Sequence, residues 1–232
     1  MKTSYWTKFL DLISPRRCVV CGRRLSANEQ VLCPTCHLHL PMTSFHTAPY
    51  ENEMARLFWG KIPVEKASAL FFFMPHSDTA RIIYDMKYHG YPEVGETMGM
   101  IAARLFSENN FFEGIDGIVP IPLTRWRQWK RGYNQSMEIA RGIADVTGLP
   151  IYNNVVRRIR FSGSQTKKHA TERQDNVALA FQLRHEEHIR GLHLLLIDDI
   201  VTTGATICSC AQELCRASGV RISVLSLGFT KS

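Results

Sequence analysis

The chain has 232 residues, 45% of them hydrophobic, and a mean hydropathy of −0.13, which excludes a disordered chain and describes a soluble globular protein with one core and a small appendage. No apolar run approaches the roughly 18 residues that cross a bilayer, so a membrane-spanning role is excluded. The formal net charge of +7 is local: eleven Lys/Arg against three Asp/Glu lie between Leu123 and Arg173, and the rest of the chain carries 17 basic and 18 acidic residues.

Met1 to Ser14 places Trp6, Phe9, Leu10 and Ile13 at helical spacing, interrupted by Lys8 and Asp11. This segment lacks the continuous apolar core and small-residue cleavage site of a signal peptide. It reads as a short helix, either packed on its own domain or docking a partner or a membrane surface. Seven cysteines without a secretion signal point to a reducing, cytoplasmic compartment. Four of them form Cys18-x2-Cys21 and Cys33-x2-Cys36, separated by eleven residues. Two close pairs can bring four thiolates to one tetrahedral centre, so structural Zn²⁺ is expected, with iron as the other metal such a set takes. His37 and His39 are neighbouring alternative ligands. Four cysteine ligands leave no open position for a substrate. Residues 15–45 are too few to build a core, so the metal must supply much of their folding energy.

Further along, Ala69 to Met74 reads as a strand. Thr79 to Tyr88 and Val94 to Phe106 read as helices, broken apart at Gly90 and Pro92. Ile118 to Ile121 is a strand, followed by the basic run Thr124 to Ser136 with four cations and three aromatics. Asn134 can cap a helix to about Val146, with Ile139, Ala140, Ile143 and Ala144 on one face. Gly148-Leu149-Pro150 ends it, and Ile151 to Val156 is the next strand. Arg157 to Arg173 has no apolar period and reads as a long mobile loop. Leu194 to Ile197 has the length and apolarity of a strand buried on both faces. A helix from Thr206 to Ala217 and a strand from Arg221 to Phe229 complete an alternating series, which implies a largely parallel sheet. In that last helix Cys215 shares a face with Ile207, Ala211 and Leu214 and reads as core; Cys208 and Cys210 are ambiguous.

The densest chemistry follows Leu194 to Ile197. Asp198 and Asp199 fall at the carboxyl end of the strand, where open α/β sheets bind ligands. Thr202, Thr203, Gly204, Ala205 and Thr206 form the loop opening the next helix. Helix-terminal N–H groups attract phosphate, Gly204 allows close backbone approach, and threonine hydroxyls add donors. Two adjacent carboxylates can accept hydrogen bonds from vicinal sugar hydroxyls. The basic run supports three readings: cations around a pyrophosphate, a single-stranded nucleic-acid track with Trp126, Trp129 and Tyr133 as stacking platforms, or a solvated surface with the aromatics tucked into the core.

The stretch Asp198 to Thr206 resembles the PRPP-binding motif of type I phosphoribosyltransferases. The wider chain resembles the ComF/GntX family of competence-associated proteins. The residues that carry this are the four cysteines, Met86-Lys87-Tyr88 before Gly90, Val119-Pro120-Ile121-Pro122 and Arg131 to Ser136. Arg158 with Gln165-Thr166, Arg173 to Asn176, and Asp198 through Thr206 complete the set. Met86 stands where the family usually has Leu, and Tyr133 where Phe is common.

The resemblance implies a type I phosphoribosyltransferase-like parallel sheet flanked by helices over residues 46–232. It implies an N-terminal zinc ribbon, which together with the helix read from the spacing of Trp6 to Ile13 occupies residues 1–45. It implies that Asp198 and Asp199 bind the ribose hydroxyls and that Thr202 to Thr206 cradle the 5′-phosphate. Lys87, Arg125 and Arg131 are then candidates for the pyrophosphate of PRPP, bound with Mg²⁺. The implied role is DNA uptake in natural transformation, with a PRPP-type or nucleotide phosphate site, single-stranded DNA as a ligand and a competence helicase as a partner. A working phosphoribosyltransferase acting on a base or amine is the rival, and a zinc-ribbon adaptor for a helicase is the third reading. No residue is identified as general base; His169 is a lone loop histidine.

Overall fold

The computed structural model describes residues 16–159 and 181–231. Trp6, Phe9, Leu10 and Ile13, and the basic residues Arg160, Lys167, Lys168 and Arg173, lie outside the described residues. So do Gln165, Thr166, His169 and Gln174 to Asn176.

Four strands make the central sheet: β1 (Val64–Phe72), β2 (Gly117–Pro120), β5 (His193–Val201) and β6 (Arg221–Phe229), in the order β1-β6-β5-β2. All three pairings are parallel, as the alternating pattern predicts, so every strand ends on one edge of the sheet. The apolar run of β5 alternates between two cores. Leu195 and Ile197 join Ile118, Leu225 and Leu227 on one face. Leu194 and Leu196 join Val119, Ile222 and Val224 on the other. This is why a continuous apolar run, and not an alternating one, marks the strand.

The first face is covered by α3 (Ala80–Tyr84), α4 (Pro92–Ser107) and α6 (Gln135–Thr147), the second by α7 (Ala205–Leu214). Asn134 caps α6 as expected, its side chain accepting from Ser136 N at 3.3 Å, and Gly148 ends it in the left-handed region at φ 74°. The break between the two helices falls at Gly90–Pro92 as expected: Gly90 ends the first in the left-handed region, and Pro92 opens α4 at the first helical position, where its missing N–H costs nothing.

Three elements depart from the sequence expectation. β1 begins five residues before Ala69, because a polar start can be buried if it is satisfied: the Lys66 ammonium donates to the carbonyls of Phe111 (3.0 Å) and Glu113 (2.7 Å). Ile151 to Val156 is not one strand. Ile118 N and Tyr152 N form bonds across to Pro150 and Ile118, each 2.8 Å, and the chain leaves the sheet at Asn153-Asn154. It re-forms as β3 (Val156–Arg158), antiparallel to β4 (Phe181–Leu183) in a separate two-stranded sheet. The basic run forms a helix, α5 (Arg125–Arg131), which buries no residue and so shows no apolar period; Thr124 caps it and Gly132 ends it.

Residues before 46 pack into the same cores. Val20, Leu25, Val31, Leu32 and Leu40 join the first, and Phe45 the second. Arg81 donates to the carbonyl of Val20 at 2.9 Å, linking α3 to the cysteine region. Of the cysteines in α7, Cys210 is fully buried and Cys208 buried, whereas Cys215, just past the helix end, is half-buried. No helix among the described residues is long and apolar enough to cross a membrane.

Candidate functional site

β5 carries Asp198 and Asp199 to the strand-end edge of the sheet and runs directly into Thr202, Thr203 and Gly204 before α7 starts. Gly204 sits at φ 74°, and a Cβ there would meet the Phe58 ring at 2.8 Å. Both the conformation and the space therefore require glycine. The loop closes a cup of about 40 Å³ bounded by Asp198, Thr202, Thr203, Gly204, Ala205 and Thr206. Thr203 Oγ1 accepts from Ala205 N at 3.5 Å.

Beside this cup opens a cavity of about 790 Å³ between the ends of β1, β2 and β5, where Phe73, Ile121, Asp198 and Asp199 meet. The two carboxylates differ in their surroundings. Asp199 Oδ2 pairs with Lys87 Nζ at 3.0 Å, and its Oδ1 accepts from Ile200 N at 2.9 Å. Asp198 Oδ1 accepts from Ser136 Oγ at 3.3 Å and from Asp199 N at 2.9 Å. Burial, reinforced by the adjacent Asp199 charge, pushes the Asp198 carboxyl up to about 7; the Asp199 N–H, Lys87 and Ser136 only partly offset this. The pair therefore offers one side chain held by Lys87 and one, Asp198, whose carboxyl is raised toward neutrality.

Lys87 reaches this point from a π-turn, Asp85–His89, which ends at Gly90 in the left-handed region at φ 74°. Single π-turns recur where a helix must re-aim a side chain. Of the expected phosphate and pyrophosphate residues, Lys87 and Arg131 line the large cavity, with Asp198, Asp199, Thr202 and Thr206. Thr203, Gly204 and Ala205 line the cup. Arg125 lines neither; it faces an adjoining groove of about 520 Å³ with Trp126, Arg157 and Arg158. On α5 the cavity-facing cations are instead Arg127, Lys130 and Arg131.

Gln135 and Ser136 are cavity residues that the sequence reading carried only as part of a family pattern, with no role. They occupy the first turn of α6, directly after the Asn134 cap, which aims them at the strand ends. Trp126 and Trp129 are 50% and 83% exposed, so neither is tucked into the core, whereas Tyr133 is half-buried and bonded to the Met86 carbonyl.

A second constellation lies in the cysteine region. The sulfurs of Cys18, Cys21, Cys33 and Cys36 all lie within 4.8 Å of one another, and Cys21 and Cys33 are 3.9 Å apart. A regular tetrahedron with metal–sulfur bonds of about 2.3 Å has sulfur–sulfur edges of about 3.8 Å. The set therefore fits one four-coordinate ion. Cys33 N donates to Cys18 Sγ and Cys36 N to Cys33 Sγ, both at 3.4 Å, the knuckle geometry that steadies thiolates. Burial works against the Cys18 thiolate, but backbone N–H groups of Cys21, Cys33 and Val20 bring its pKa down to about 7. His37 and His39 are not in the cluster; the His39 ring bonds the carbonyl of Thr35 at 2.7 Å.

No protein-family model matches the chain. Over 213 residues it is 26% identical to the DNA utilization protein YhgH of Salmonella typhimurium, spanning 90% of this chain and 88% of that protein. It is 32% identical over 113 residues to competence protein F of Haemophilus influenzae, covering 48% of this chain and 49% of that one. Among solved structures, the adenine phosphoribosyltransferase of Leishmania tarentolae aligns with 77% of this chain and 88% of its own, at 14% identity and a TM-score of 0.38.

Proposed function

For a chain whose relatives are DNA utilization protein YhgH and competence protein F, we propose a role in DNA uptake and utilization that works through a phosphosugar site. The ligand is 5-phosphoribosyl-1-pyrophosphate or a related nucleotide phosphate. The observation that carries this reading is the charge balance of the large cavity: among the described residues Lys87, Arg127, Lys130, Arg131 and Arg158 line it against two carboxylates, Asp198 and Asp199. Such an excess of cations suits a ligand with several negative charges. The cup at Thr202 to Thr206 suits its terminal phosphate, and the carboxyl pair suits the two ribose hydroxyls between them. Mg²⁺ would enter with the pyrophosphate and neutralise part of its charge, and the Asp198 and Asp199 oxygens are the hard donors within reach. If an acceptor base or amine enters as well, its nitrogen forms the new bond to the anomeric carbon. The bond to pyrophosphate breaks as that bond forms, its electron pair leaves with pyrophosphate, and the proton shed by the acceptor nitrogen passes to the released pyrophosphate or to water. For the four thiols we assign Zn²⁺, as a structural ion.

Calorimetric titration of the metal-loaded protein with PRPP and Mg²⁺ at pH 8 tests the site. Micromolar binding is expected in the native chain. The Asp198→Asn/Asp199→Asn variant should bind on the order of 100-fold more weakly, the loss expected for two charge-assisted hydrogen-bond acceptors. Absence of binding to the native protein would remove PRPP as the ligand.

The exposure of Trp126 and Trp129 on a helix with four cations favours a second ligand, single-stranded DNA. Replacing Arg125, Arg127 and Lys130 by glutamate should then weaken oligonucleotide binding and flatten its salt dependence by about two to three units of slope. An unchanged slope would remove α5 from the DNA path.

A further inference from the structure

The residue that closes the gap between helix and strand in this site is Lys87; its turn is spanned by the His89–Asp85 bond at 2.7 Å and is also held from another segment. A π-turn widens the helix and leaves carbonyls without their usual partners. Met86, the residue before Lys87, is fully buried, so its carbonyl needs donors from elsewhere in the protein.

Two are supplied. Tyr133 donates its hydroxyl to Met86 O, and Gln135 donates from Nε2 to the same oxygen at 3.2 Å. The Gln135 amide has a defined orientation, because Arg131 Nη1 donates to its Oε1 at 2.5 Å, leaving the NH₂ group to face Met86. Two of these bonds join the stretch from Arg131 to Gln135 to the π-turn and the third fixes the Gln135 amide; the turn carries Lys87, whose Nζ lies 3.0 Å from Asp199 Oδ2. Burial raises the Tyr133 phenol to about 12 despite the nearby Arg131, so it remains a hydrogen-bond donor at neutral pH.

We infer that Tyr133 and Gln135 are positioning residues, which grip the Met86 carbonyl and thereby place Lys87 on Asp199. Neither needs to touch the ligand. The consequence for ligand binding rests on the phosphosugar reading; the placement of Lys87 does not.

The test uses the full-length, metal-loaded protein and two variants, Tyr133→Phe and Tyr133→Phe/Gln135→Leu. The first readout is the acylation rate of Lys87 by an amine-reactive ester, followed by mass spectrometry, with Asp199→Asn as the reference for a released lysine. The double variant should raise Lys87 labelling roughly fivefold, toward the Asp199→Asn rate, with Lys61 unchanged; Tyr133→Phe should give part of that rise. Lys87 labelling equal to the native rate in both variants would overturn the proposal.

The second readout is PRPP affinity. The double variant should lose about tenfold in the native background and nothing further in a Lys87→Met background. Equal losses in both backgrounds would mean that Tyr133 and Gln135 act on general stability, or that the cavity-lining Gln135 touches the ligand, and not through Lys87, again overturning it. If the native protein does not bind PRPP, the phosphosugar reading fails, and the labelling rates alone decide for or against the positioning role.

Discussion

Gly142→Ala is expected to destabilise the protein by about 3 kcal/mol or more, although alanine is the better helix former by about 1 kcal/mol. A Cβ at this position of α6 would lie 1.9 Å from the carbonyl oxygen of Glu96 and 2.8 Å from Met100 N, both on α4. The reciprocal contact is nearly as close: a Cβ at Gly99 of α4 would lie 2.3 Å from Ile139 O of α6. These are backbone atoms of a hydrogen-bonded helix, so no side chain can swing aside to make room. The two helices must separate, and the cost is lost packing of Met98, Ala102, Ile139 and Ile143, all fully buried.

For a chain of this size the midpoint should fall by roughly 6–12 °C in differential scanning calorimetry. Gly95→Ala is the control. Its Cβ would meet Glu138 Cβ at 3.0 Å and Met86 Sδ at 3.3 Å, the latter on a pliable side chain, so a smaller loss is expected. A Gly142→Ala midpoint within about 2 °C of native, against the shift expected for a domain of this size, would show that the crossing is looser than the geometry implies. The same variant should weaken the site, because Gln135 and Ser136 lie on the first turn of α6 and Ser136 bonds Asp198.

Removing the metal from the four thiols should unfold the segment around them while leaving the sheet intact. Structural zinc contributes on the order of 10 kcal/mol to domains of this kind. Among its described residues the segment has one short helix, α1 (Pro34–Leu38), a bridge between Arg17 and Arg24, an ion pair between Arg23 and Glu29 at 2.8 Å, and a few apolar side chains that join the main core. Hydrogen exchange reads the result directly. The amides of Cys18, Val19, Gly22 and Leu25, bonded within the segment at 2.8–3.1 Å, should lose protection after chelation. Those of Leu195 to Ile197 should keep it. Retained protection in the cysteine segment, with metal loss verified by elemental analysis, would show that the thiols are not the scaffold.

Much of the site could be read directly from the chain because its parts are sequence neighbours. A buried parallel strand, two carboxylates at its end, a glycine-bearing turn and a helix start occupy Leu194 to Ala205 without interruption, and the structure keeps that order. The paired cysteines are legible for a related reason: each pair is a local turn, and only one convergence is left to the fold. Other elements were hidden because their evidence is not local. α5 buries nothing, so no apolar period marks it. The polar start of β1 was hidden because the carbonyls of Phe111 and Glu113, which accept from the Lys66 ammonium, lie far away in sequence.

The sequence by itself determined the parallel α/β class, the order of most strands and helices, the strand–carboxylate–loop unit, and the thiol pairs, since each depends on residues within a few positions of one another. The tertiary structure alone decided which cations reach the carboxylates. Lys87 arrives through a π-turn held from another segment. Arg127, Lys130 and Arg131 face the cavity because their three- and four-residue spacing puts them on one side of α5, whereas Arg125 is rotated away into the neighbouring groove. It also decided which glycines are indispensable. Gly142 is one because Glu96, far away in sequence, presses its backbone into the space a side chain would need.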